Sequence, residues 1–307
     1  MTRKKLLKLM EIEMYIDQFI KYLKEERRLT GNSLDAYKRD VEMFEKFCDD
    51  RGHKDLIHVS NTDVVAYLLH LSETGKSAST SNRKLASIRA FYKYAVERGL
   101  VTSNPATNVK APKIQRREIE FLTVDEVEKL LSMPGNKTPK QKRDKAILEL
   151  MYATGIKVNE LLAANVEDVN LRIGFFTCPG TIGKARIVPI GRMAREAIED
   201  YIENGRQRLL KRNVDERALF VNIYGERMSR QGLWKMLKTY GKKAGLEDKI
   251  TPHILRNSFA VHMVQNGADI KSLQELLGHE DISATQIYLS VMKNRIKDVY
   301  DHTHPRA

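Results

Sequence analysis

Apolar residues in the first hundred positions recur three and four apart, the spacing of helices with one buried face. The stripe in 11–29 comprises Ile12, Tyr15, Ile16, Phe19, Ile20 and Leu23, and the stripe in 33–52 comprises Leu34, Tyr37, Val41, Phe44 and Phe47. Ser33 is suited to cap the second of these helices. Two more helices are predicted over 62–75, with Asn61 or Thr62 as the cap, and over 81–99. Four amphipathic helices joined by short connections predict a small helical bundle.

The segment 102–118 marks a change in organisation. It has two prolines, no apolar periodicity and several basic residues, which favours an extended linker. Thr123 and Glu126 follow it with the spacing of a capping box, so a helix of a new domain is predicted to begin there. We therefore predict an N-terminal helical domain over 1–107, a basic linker over 108–120 and a C-terminal domain over 121–307.

The C-terminal domain is predicted to be mostly helical with one small antiparallel sheet. Two runs rich in β-favouring residues, 173–178 and 186–190, flank a turn-rich stretch and predict a hairpin, and 219–221 predicts an edge strand. Helix boundaries are predicted at Ser229, at Thr251 with Pro252 after it, at Gly278 and at Ser283, and the last helix is predicted to carry Tyr288. The fold class predicted for the whole chain is mainly α, with a mixed α/β C-terminal domain.

The charge balance of the chain indicates a partner. Its 307 residues carry a formal net charge of +13. Lys and Arg that neutralise phosphates release counterions, so a surplus of this size favours a nucleic acid as the partner. An anionic membrane surface is the alternative.

The cysteines and apolar runs bear on the compartment. Cys48 and Cys178 are the two cysteines, too few for a disulfide framework or a zinc cluster. Charged residues interrupt every apolar run near the N-terminus, which argues against a signal peptide. The longest apolar run, 64–69, is too short to span a bilayer. We expect a cytoplasmic protein without membrane insertion.

One region near the C-terminus collects an unusual set of side chains: His253, Arg256, His279 and Tyr288. The guanidinium fork of an arginine matches two oxygens of a phosphodiester. Histidines can donate hydrogen bonds or move protons, and a tyrosine can be a nucleophile that forms a covalent intermediate. No carboxylate pair or set of metal ligands accompanies them, and the set suits chemistry on a phosphodiester.

The same residues carry a resemblance to a known family. The stretch HILRNSFAVHMVQNGADIKSLQELLGHEDISATQIYL resembles the H-x-L-R, L-G-H and Tyr signature of the tyrosine recombinases, the phage-integrase family. The stretch MYATGIKVNELLAANVEDVNL resembles the family's A-T-G-hydrophobic-R-x-S-E-L box. The ending YDHTHPRA and the chain length resemble the bacterial Xer recombinases, nearest to the XerD type. The likeness covers nearly the whole chain.

The resemblance implies a fold and a reaction. An N-terminal SAM-like core-binding domain and a C-terminal catalytic domain would clamp double-stranded DNA. Tyr288 would attack the scissile phosphate and form a 3′-phosphotyrosyl link, Arg256 would hold the phosphate, and His253 and His279 would assist the proton movements. The 5′-hydroxyl of a second strand would then displace the tyrosine, and the resemblance implies that no metal or other cofactor is required. The implied assembly is a tetramer on paired sites, formed from one chain or with a second Xer-type recombinase, and the FtsK translocase is a further implied partner.

Two positions depart from the family pattern. Lys157 stands where the family has an arginine, so the charge is kept and the bidentate fork is lost. Thr181 stands where the family hairpin has the lysine that protonates the leaving 5′-oxygen, and Lys184 is the candidate to replace it. The family's serine is Asn159 here, a milder change. Because the loss of one preorganised charge or donor commonly costs about 3–4 kcal/mol at a transition state, a reduced rate is predicted unless another group compensates.

Basic side chains recur outside the signature. Arg83, Lys84, Arg89 and Lys93 follow helical spacing and are candidates for DNA contact from the fourth helix, with a solvated basic face as the alternative. Arg230 and Lys235 belong to a second basic stretch that we expect to contact phosphates.

Three functions remain open at this point. The leading hypothesis is a site-specific DNA recombinase that resolves chromosome or plasmid dimers or moves a genetic element. The main alternative, motivated by Lys157 and Thr181, is a catalytically weakened paralogue that acts as a sequence-specific DNA-binding partner. A topoisomerase-like enzyme that relaxes DNA by related chemistry is the third.

Overall fold

The computed structural model describes residues 15–29, 31–53, 55–114, 118–179, 185–210, 217–279 and 281–289. The chain divides into two compact units, an N-terminal unit up to Arg117 and a C-terminal unit from Glu118 onward.

The N-terminal unit contains four helices within its described residues. They are α1 (residues 15–25), α2 (Gly31–Asp50), α3 (Asn61–Glu73) and α4 (Ala78–Glu97). Phe19 and Phe44 of the predicted apolar stripes are 0% exposed and lie in the core together with Phe91 of α4, which is 3% exposed. The rings of Phe19 and Phe91 meet edge to face with their centroids 5.5 Å apart, a favourable aromatic geometry. The prediction of a helical bundle is confirmed.

Three helices of this unit, α2, α3 and α4, begin earlier than predicted. α2 begins at Gly31, so Ser33 lies inside the helix and does not cap it. α3 is capped by Ser60 and not by either of the two residues after it, and α4 is capped by Ser77. The apolar stripe misses these starts because the first turn of a helix needs an acceptor for its free N–H groups more than it needs an apolar residue.

The C-terminal unit is mostly helical. Its helices are α5 (Val124–Ser132), α6 (Pro139–Thr154), α7 (Val158–Ala163), α8 (Arg192–Tyr201), α9 (Gln207–Leu209), α10 (Arg230–Ala244), α11 (Pro252–Gln265), α12 (Ile270–Leu277) and α13 (Ser283–Gln286), with a 3₁₀ turn at Val166–Asp168 and a π turn at Ile202–Arg206. Thr123 caps α5 with the predicted capping box, and Thr251 caps α11 with Pro252 after it. α6 contributes Leu148 and Leu150 to the core, both fully buried.

A small antiparallel sheet completes this unit. Its strands are β1 (Val169–Asn170), β2 (Phe175–Cys178) and β3 (Arg186–Pro189), in that order across the sheet. Phe176 pairs with Val188, and both side chains face the core. The predicted hairpin is confirmed, whereas the predicted edge strand over 219–221 is wrong. That segment forms only an isolated bridge between Val221 and Arg227, so no ladder of hydrogen bonds develops.

Within the described ranges, none of the helices combines the length and the apolar character needed to cross a membrane.

Candidate active site

The end of α6 brings the A-T-G box of the chain, residues 153–161, against α11 and α12. Gly155 ends α6 in the left-handed conformation, with φ of 57°. A Cβ atom at this position would lie 2.5 Å from Phe259 Cδ1 and 2.9 Å from Leu277 Cδ2, so the close approach requires glycine. This approach puts the Gly155 carbonyl against the guanidinium of Arg256, which donates a hydrogen bond to it.

Three successive carbonyl oxygens at the C-terminal end of α12 accept hydrogen bonds from three cations. The pairs are Leu276 with Arg186 Nε at 2.8 Å, Leu277 with Arg256 Nη2 at 2.6 Å, and Gly278 with Lys157 Nζ at 3.0 Å. The last carbonyls of a helix lack intrahelical donors and lie at the negative end of its dipole. The end of α12 therefore gathers three positive side chains that would otherwise repel one another.

Arg256 is the most buried of the three cations at the end of α12. Its side chain projects from the first turns of α11, and the residue is 7% exposed. Besides the two carbonyls, Arg256 Nη2 lies 3.0 Å from His279 Nε2. Burial lowers the pKa of Arg256, and the nearby charge of Arg186 acts in the same direction. A guanidinium remains protonated in proteins, so Arg256 is a fixed positive charge at this site.

His279 is held between two groups at the start of the loop after α12. Gly278 ends α12 in the left-handed conformation, as predicted. His279 Nδ1 lies 2.9 Å from Thr285 Oγ1, on the opposite side of the ring from Arg256. Partial burial and then the adjacent Arg256 lower the pKa of His279 to about 4, so the ring is neutral near pH 7. Three further groups lower it more weakly: Lys157, Arg186 and His253.

His253 lies within the described residues, whereas Lys184 does not. His253 is exposed on the first turn of α11, and its charge reaches His279. Arg256 is buried on the same helix, so the shared face predicted for these two residues separates into a buried and an exposed position. Lys184, the candidate for the hairpin acid, and Thr181, which stands at the position of the family's lysine, lie outside the described residues.

Arg186 and Glu160 form a pair that the sequence analysis did not identify as part of the site. Arg186 Nη1 and Nη2 donate to the Glu160 carboxylate at 2.5 and 2.9 Å, a bidentate geometry. Burial alone would raise the pKa of Glu160, but the hydrogen bonds from Arg186 and from the Lys157 backbone N–H lower it below its usual range. Glu160 thus fixes Arg186 beside α12 and holds the backbone at Lys157. The sequence could have indicated that Glu160 belongs to the site, because it is the glutamate of the A-T-G box.

Tyr288 lies just beyond α13 and not within it, which corrects the predicted helical placement. The residue is 1% exposed, and its ring packs with Phe259, Leu273 and Leu277. Its Oη donates to Asn257 Oδ1 at 3.1 Å. Burial raises the pKa of Tyr288, and the positive charge of Arg256 opposes this rise. The phenol is therefore protonated and enclosed.

The predicted DNA-contacting residues of α4 fall into two pairs. Arg83 and Lys93 are exposed, although Arg83 also donates to Asp40. Lys84 is 3% exposed and forms an ion pair with Asp40 at 3.3 Å, so its charge faces the interior. Arg89 donates to the backbone carbonyls of residues 106 and 109. Lys84 and Arg89 therefore stabilise the N-terminal unit, and the helical spacing alone gave no sign of their inward partners.

The two predicted residues of α10 are both exposed. Arg230 donates to the side-chain oxygen of Asn159. This contact connects the start of α10 to the A-T-G box, two residues after Lys157. Lys235 lies one turn further along the same helix. The structure thus connects Arg230 to the candidate site, whereas the sequence assigned it only to a basic stretch.

Taken together, the C-terminal unit offers a buried guanidinium, a neutral imidazole and an exposed ammonium around the end of α12. Such a set can bind an anion with fixed charge and can take up or release a proton. The Tyr288 phenol lies on the segment that follows.

Two sequence models match the chain. The one described as the phage integrase family matches residues 120–295, and the one described as the phage integrase N-terminal SAM-like domain matches residues 16–99.

Curated relatives match over nearly full length. The chain is 42% identical over 293 residues to the tyrosine recombinase XerD of Halalkalibacterium halodurans, covering 95% of this chain and 98% of that one. It is 43% identical over 297 residues to XerD of Oceanobacillus iheyensis, covering 96% of this chain and 100% of that one.

Solved structures share the fold. The XerH site-specific recombinase bound to a palindromic difH substrate superposes with a TM-score of 0.75 at 21% identity, covering 92% of this chain and 83% of that one. The Tn1549 transposon integrase in complex with circular intermediate DNA gives a TM-score of 0.72 at 21% identity, covering 89% and 94%. With the family signature, the matching models and relatives above 40% identity along the full length, the chain belongs to the phage integrase family of tyrosine recombinases.

Proposed function

We propose that this protein is an Xer-type site-specific recombinase that cuts a DNA strand with Tyr288, retains the 3′ end as a phosphotyrosyl ester and rejoins it to another strand. The observation that carries the proposal is the convergence of Arg256, His279 and Lys157 at the end of α12, directly before the segment that bears Tyr288. The full-length similarity to proteins named tyrosine recombinases favours this function over a partner that only binds DNA.

The proposed roles follow from the chemistry of each group. The Arg256 fork would bind two non-bridging oxygens of the scissile phosphate in place of its present carbonyl partners. Lys157 would add a second charge, and His279 and His253 would donate hydrogen bonds or move protons. The Tyr288 oxygen would form a bond to phosphorus as its proton leaves, and the bond to the 5′-oxygen would break as that oxygen gains a proton. Lys184 is the proposed acid for this last step, and no metal or cofactor is required.

Tyr288 must change position before it attacks. Its Oη is enclosed and donates to Asn257. A phosphate in a DNA duplex cannot reach the enclosed Tyr288 oxygen. We therefore propose that DNA binding moves the Tyr288 segment toward Arg256 and breaks the hydrogen bond between Tyr288 and Asn257.

The proposed DNA-binding surface differs from the set taken from the sequence. Arg83 and Lys93 remain on the N-terminal unit, and Arg230 and Lys235 remain on the C-terminal unit. Lys84 and Arg89 are removed from the proposed contacts because their partners lie within the protein.

The biological role and assembly are proposed from the relatives. Both are XerD proteins of bacteria, which favours the resolution of chromosome or plasmid dimers in the cytoplasm over the movement of an element. We propose domains over 1–107 and 121–307 with a linker over 108–120. We further propose a tetramer on paired DNA sites, with a second Xer-type recombinase and the FtsK translocase as partners.

A covalent-trap assay tests the reaction. The preferred duplex is first selected by binding the full chain to genomic fragments and sequencing those retained. A version of this duplex carries a nick close to the cleavage position, so that the short fragment with the freed 5′-hydroxyl diffuses away and religation is prevented. Wild type is expected to give a protein–DNA adduct on a denaturing gel, and Tyr288→Phe is expected to bind the duplex without forming it.

Each other outcome has a meaning. Binding without an adduct in wild type would contradict the recombinase and favour the DNA-binding partner. Relaxation of a supercoiled plasmid that lacks the selected site would favour the topoisomerase-like enzyme. An adduct that persists in Tyr288→Phe would refute Tyr288 as the nucleophile.

A further inference from the structure

Thr285 is a fully buried side chain that none of the proposed catalytic roles uses. It lies in the short helix α13, three residues before Tyr288, and is 0% exposed. Its Oγ1 lies 2.9 Å from His279 Nδ1. Its carbonyl oxygen accepts a hydrogen bond from the Tyr288 backbone N–H at 3.1 Å. One residue therefore contacts both the imidazole at the end of α12 and the segment that carries the phenol.

The contacts of the two ring nitrogens determine where the proton of His279 lies. Arg256 Nη2 lies 3.0 Å from His279 Nε2, and guanidinium nitrogens can only donate. Nε2 must therefore accept, so it carries no proton. A neutral imidazole has one N–H group, which must then be on Nδ1, and this group donates to Thr285 Oγ1. The opposite tautomer would direct an N–H group at the N–H of Arg256.

We infer that Thr285 is a positioning residue, which holds His279 in the Nδ1–H tautomer with the Nε2 lone pair directed toward the site beside Arg256. The inference rests on the proposed function, because it assigns the site of proton uptake in that reaction. Thr285 Oγ1 can accept from Nδ1–H whether the ring is neutral or doubly protonated, so a proton can enter at Nε2 without turning the ring once Arg256 has exchanged its contact with Nε2 for the phosphate. The phosphate would favour that uptake by its negative charge.

The charged surroundings of His279 support a neutral ring in the absence of DNA. The ionisable groups that act on it come from α11, from β3 and from the loop before α7, and they are Arg256, His253, Arg186 and Lys157. All of them are cations or can become cations, so nothing among them favours the imidazolium. Thr285 is the neutral acceptor that fits both ring states.

The link through the Thr285 backbone adds a consequence. The Thr285 carbonyl accepts a hydrogen bond from the Tyr288 N–H, and the Thr285 side chain contacts His279. The movement proposed for Tyr288 must therefore break the backbone contact and leave the Thr285 side chain on His279.

The tautomer can be measured without any reaction. The full chain is labelled with ¹⁵N-histidine, and the His279 signals are assigned by their loss in His279→Gln. Wild type is expected to show a protonated Nδ1 and an unprotonated Nε2 near pH 7. A protonated Nε2 would overturn the inference, and this result does not depend on whether the protein cleaves DNA.

Two matched substitutions test the role in cleavage with the nicked duplex. Thr285→Val keeps the shape of the side chain and removes the acceptor, and it is expected to slow adduct formation by about tenfold, the equivalent of ~1.4 kcal/mol. Thr285→Ser keeps the hydroxyl that accepts from His279 and loses only a methyl group. It is expected to remain within about twofold of wild type, because the inferred role depends on the hydrogen bond. If valine is as fast as wild type while serine is slow, Thr285 acts by packing alone and the inference fails.

A double-mutant cycle shows whether Thr285 acts through His279. In a His279→Gln background, Thr285→Val is expected to cause no further loss, because the group that it positions is absent. An additive loss would overturn the inference. Thermal unfolding and duplex binding identify a variant that has misfolded, in which case Thr285→Ala replaces Thr285→Val in the cycle. Failure of wild type to form an adduct refutes the proposed function, whereas an active wild type with a fully active Thr285→Val refutes only the role of Thr285.

Discussion

Replacing Lys157 by arginine is expected to accelerate DNA cleavage. Lys157 Nζ donates to the Gly278 carbonyl at 3.0 Å, which uses one of the three donors of an ammonium. At most two donors then remain for a phosphate. A guanidinium has five donors in a planar fork, so an arginine at this position could keep the carbonyl contact and still place two parallel donors on the phosphate.

The size of the effect follows from the added hydrogen bond. A hydrogen bond to a charged group contributes about 1.5–3 kcal/mol. If that bond is stronger in the transition state than with bound substrate, it lowers the barrier by the same amount. At about 1.4 kcal/mol for each factor of ten, Lys157→Arg is expected to raise the rate of adduct formation by about 10- to 150-fold.

The assay is single-turnover adduct formation on the nicked duplex at saturating protein. Lys157→Gln removes the charge and is expected to be slower than wild type. Lys249→Arg is the matched control, because Lys249 is 62% exposed and is paired with Glu126 on the surface. This control should leave the rate unchanged. A Lys157→Arg protein no faster than wild type would refute the reasoning, since the fork would then add nothing at the transition state.

Three further predictions concern stability. Glu160→Gln is expected to destabilise the C-terminal unit by about 3–5 kcal/mol in denaturant unfolding, because it leaves the charge of Arg186 unpaired beside α12; a loss within experimental error would show that Arg186 is stabilised by other groups. The lowered pKa of Glu160 means that its contribution is present above the unfolded pKa of about 4.3 and is lost as pH falls through the lower folded value. Wild type should therefore lose its advantage over Glu160→Gln on acidification, and a constant difference down to acid pH would contradict this. Asp40→Asn is expected to destabilise the N-terminal unit by a similar amount, about 3–5 kcal/mol, since Lys84 loses a buried partner; an unchanged unfolding midpoint would contradict that.

The helices of the N-terminal unit were predictable because their apolar stripes repeat with the period of a helix. Phe19 and Phe44 are core residues in the structure as in the stripes. The same spacing gave the wrong environment for Lys84, which lies on α4 opposite the inward carboxylate of Asp40. Helical periodicity predicts which side chains share a face of one helix. The partner of Lys84 lies on another helix, α2, and the periodicity of α4 does not indicate that partner.

The sequence predicted which residues form the candidate site better than it predicted how they are arranged. Resemblance to the family supplied Arg256, His279 and Tyr288, and the structure places the first two in contact. The enclosed position of Tyr288 could not be predicted, because it depends on the packing of its ring against side chains from α11 and α12. The contribution of Thr285 also depends on how closely α13 approaches His279, which neither spacing nor propensity determines.

The end of α12 explains how a site made of cations can exist before DNA arrives. Three positive side chains lie against three consecutive carbonyl oxygens, where the helix dipole is negative and the backbone lacks donors of its own. Carbonyl dipoles are weaker acceptors than a phosphodiester, so Arg256 and Lys157 can exchange them for phosphate oxygens with a gain in energy. Arg186 is bound differently, because the bidentate contact with Glu160 neutralises it. The helix end thus holds two cations with exchangeable carbonyl contacts and one that is fixed by Glu160. In the proposed reaction the fixed cation would keep α12 in place while the other two bind the phosphate.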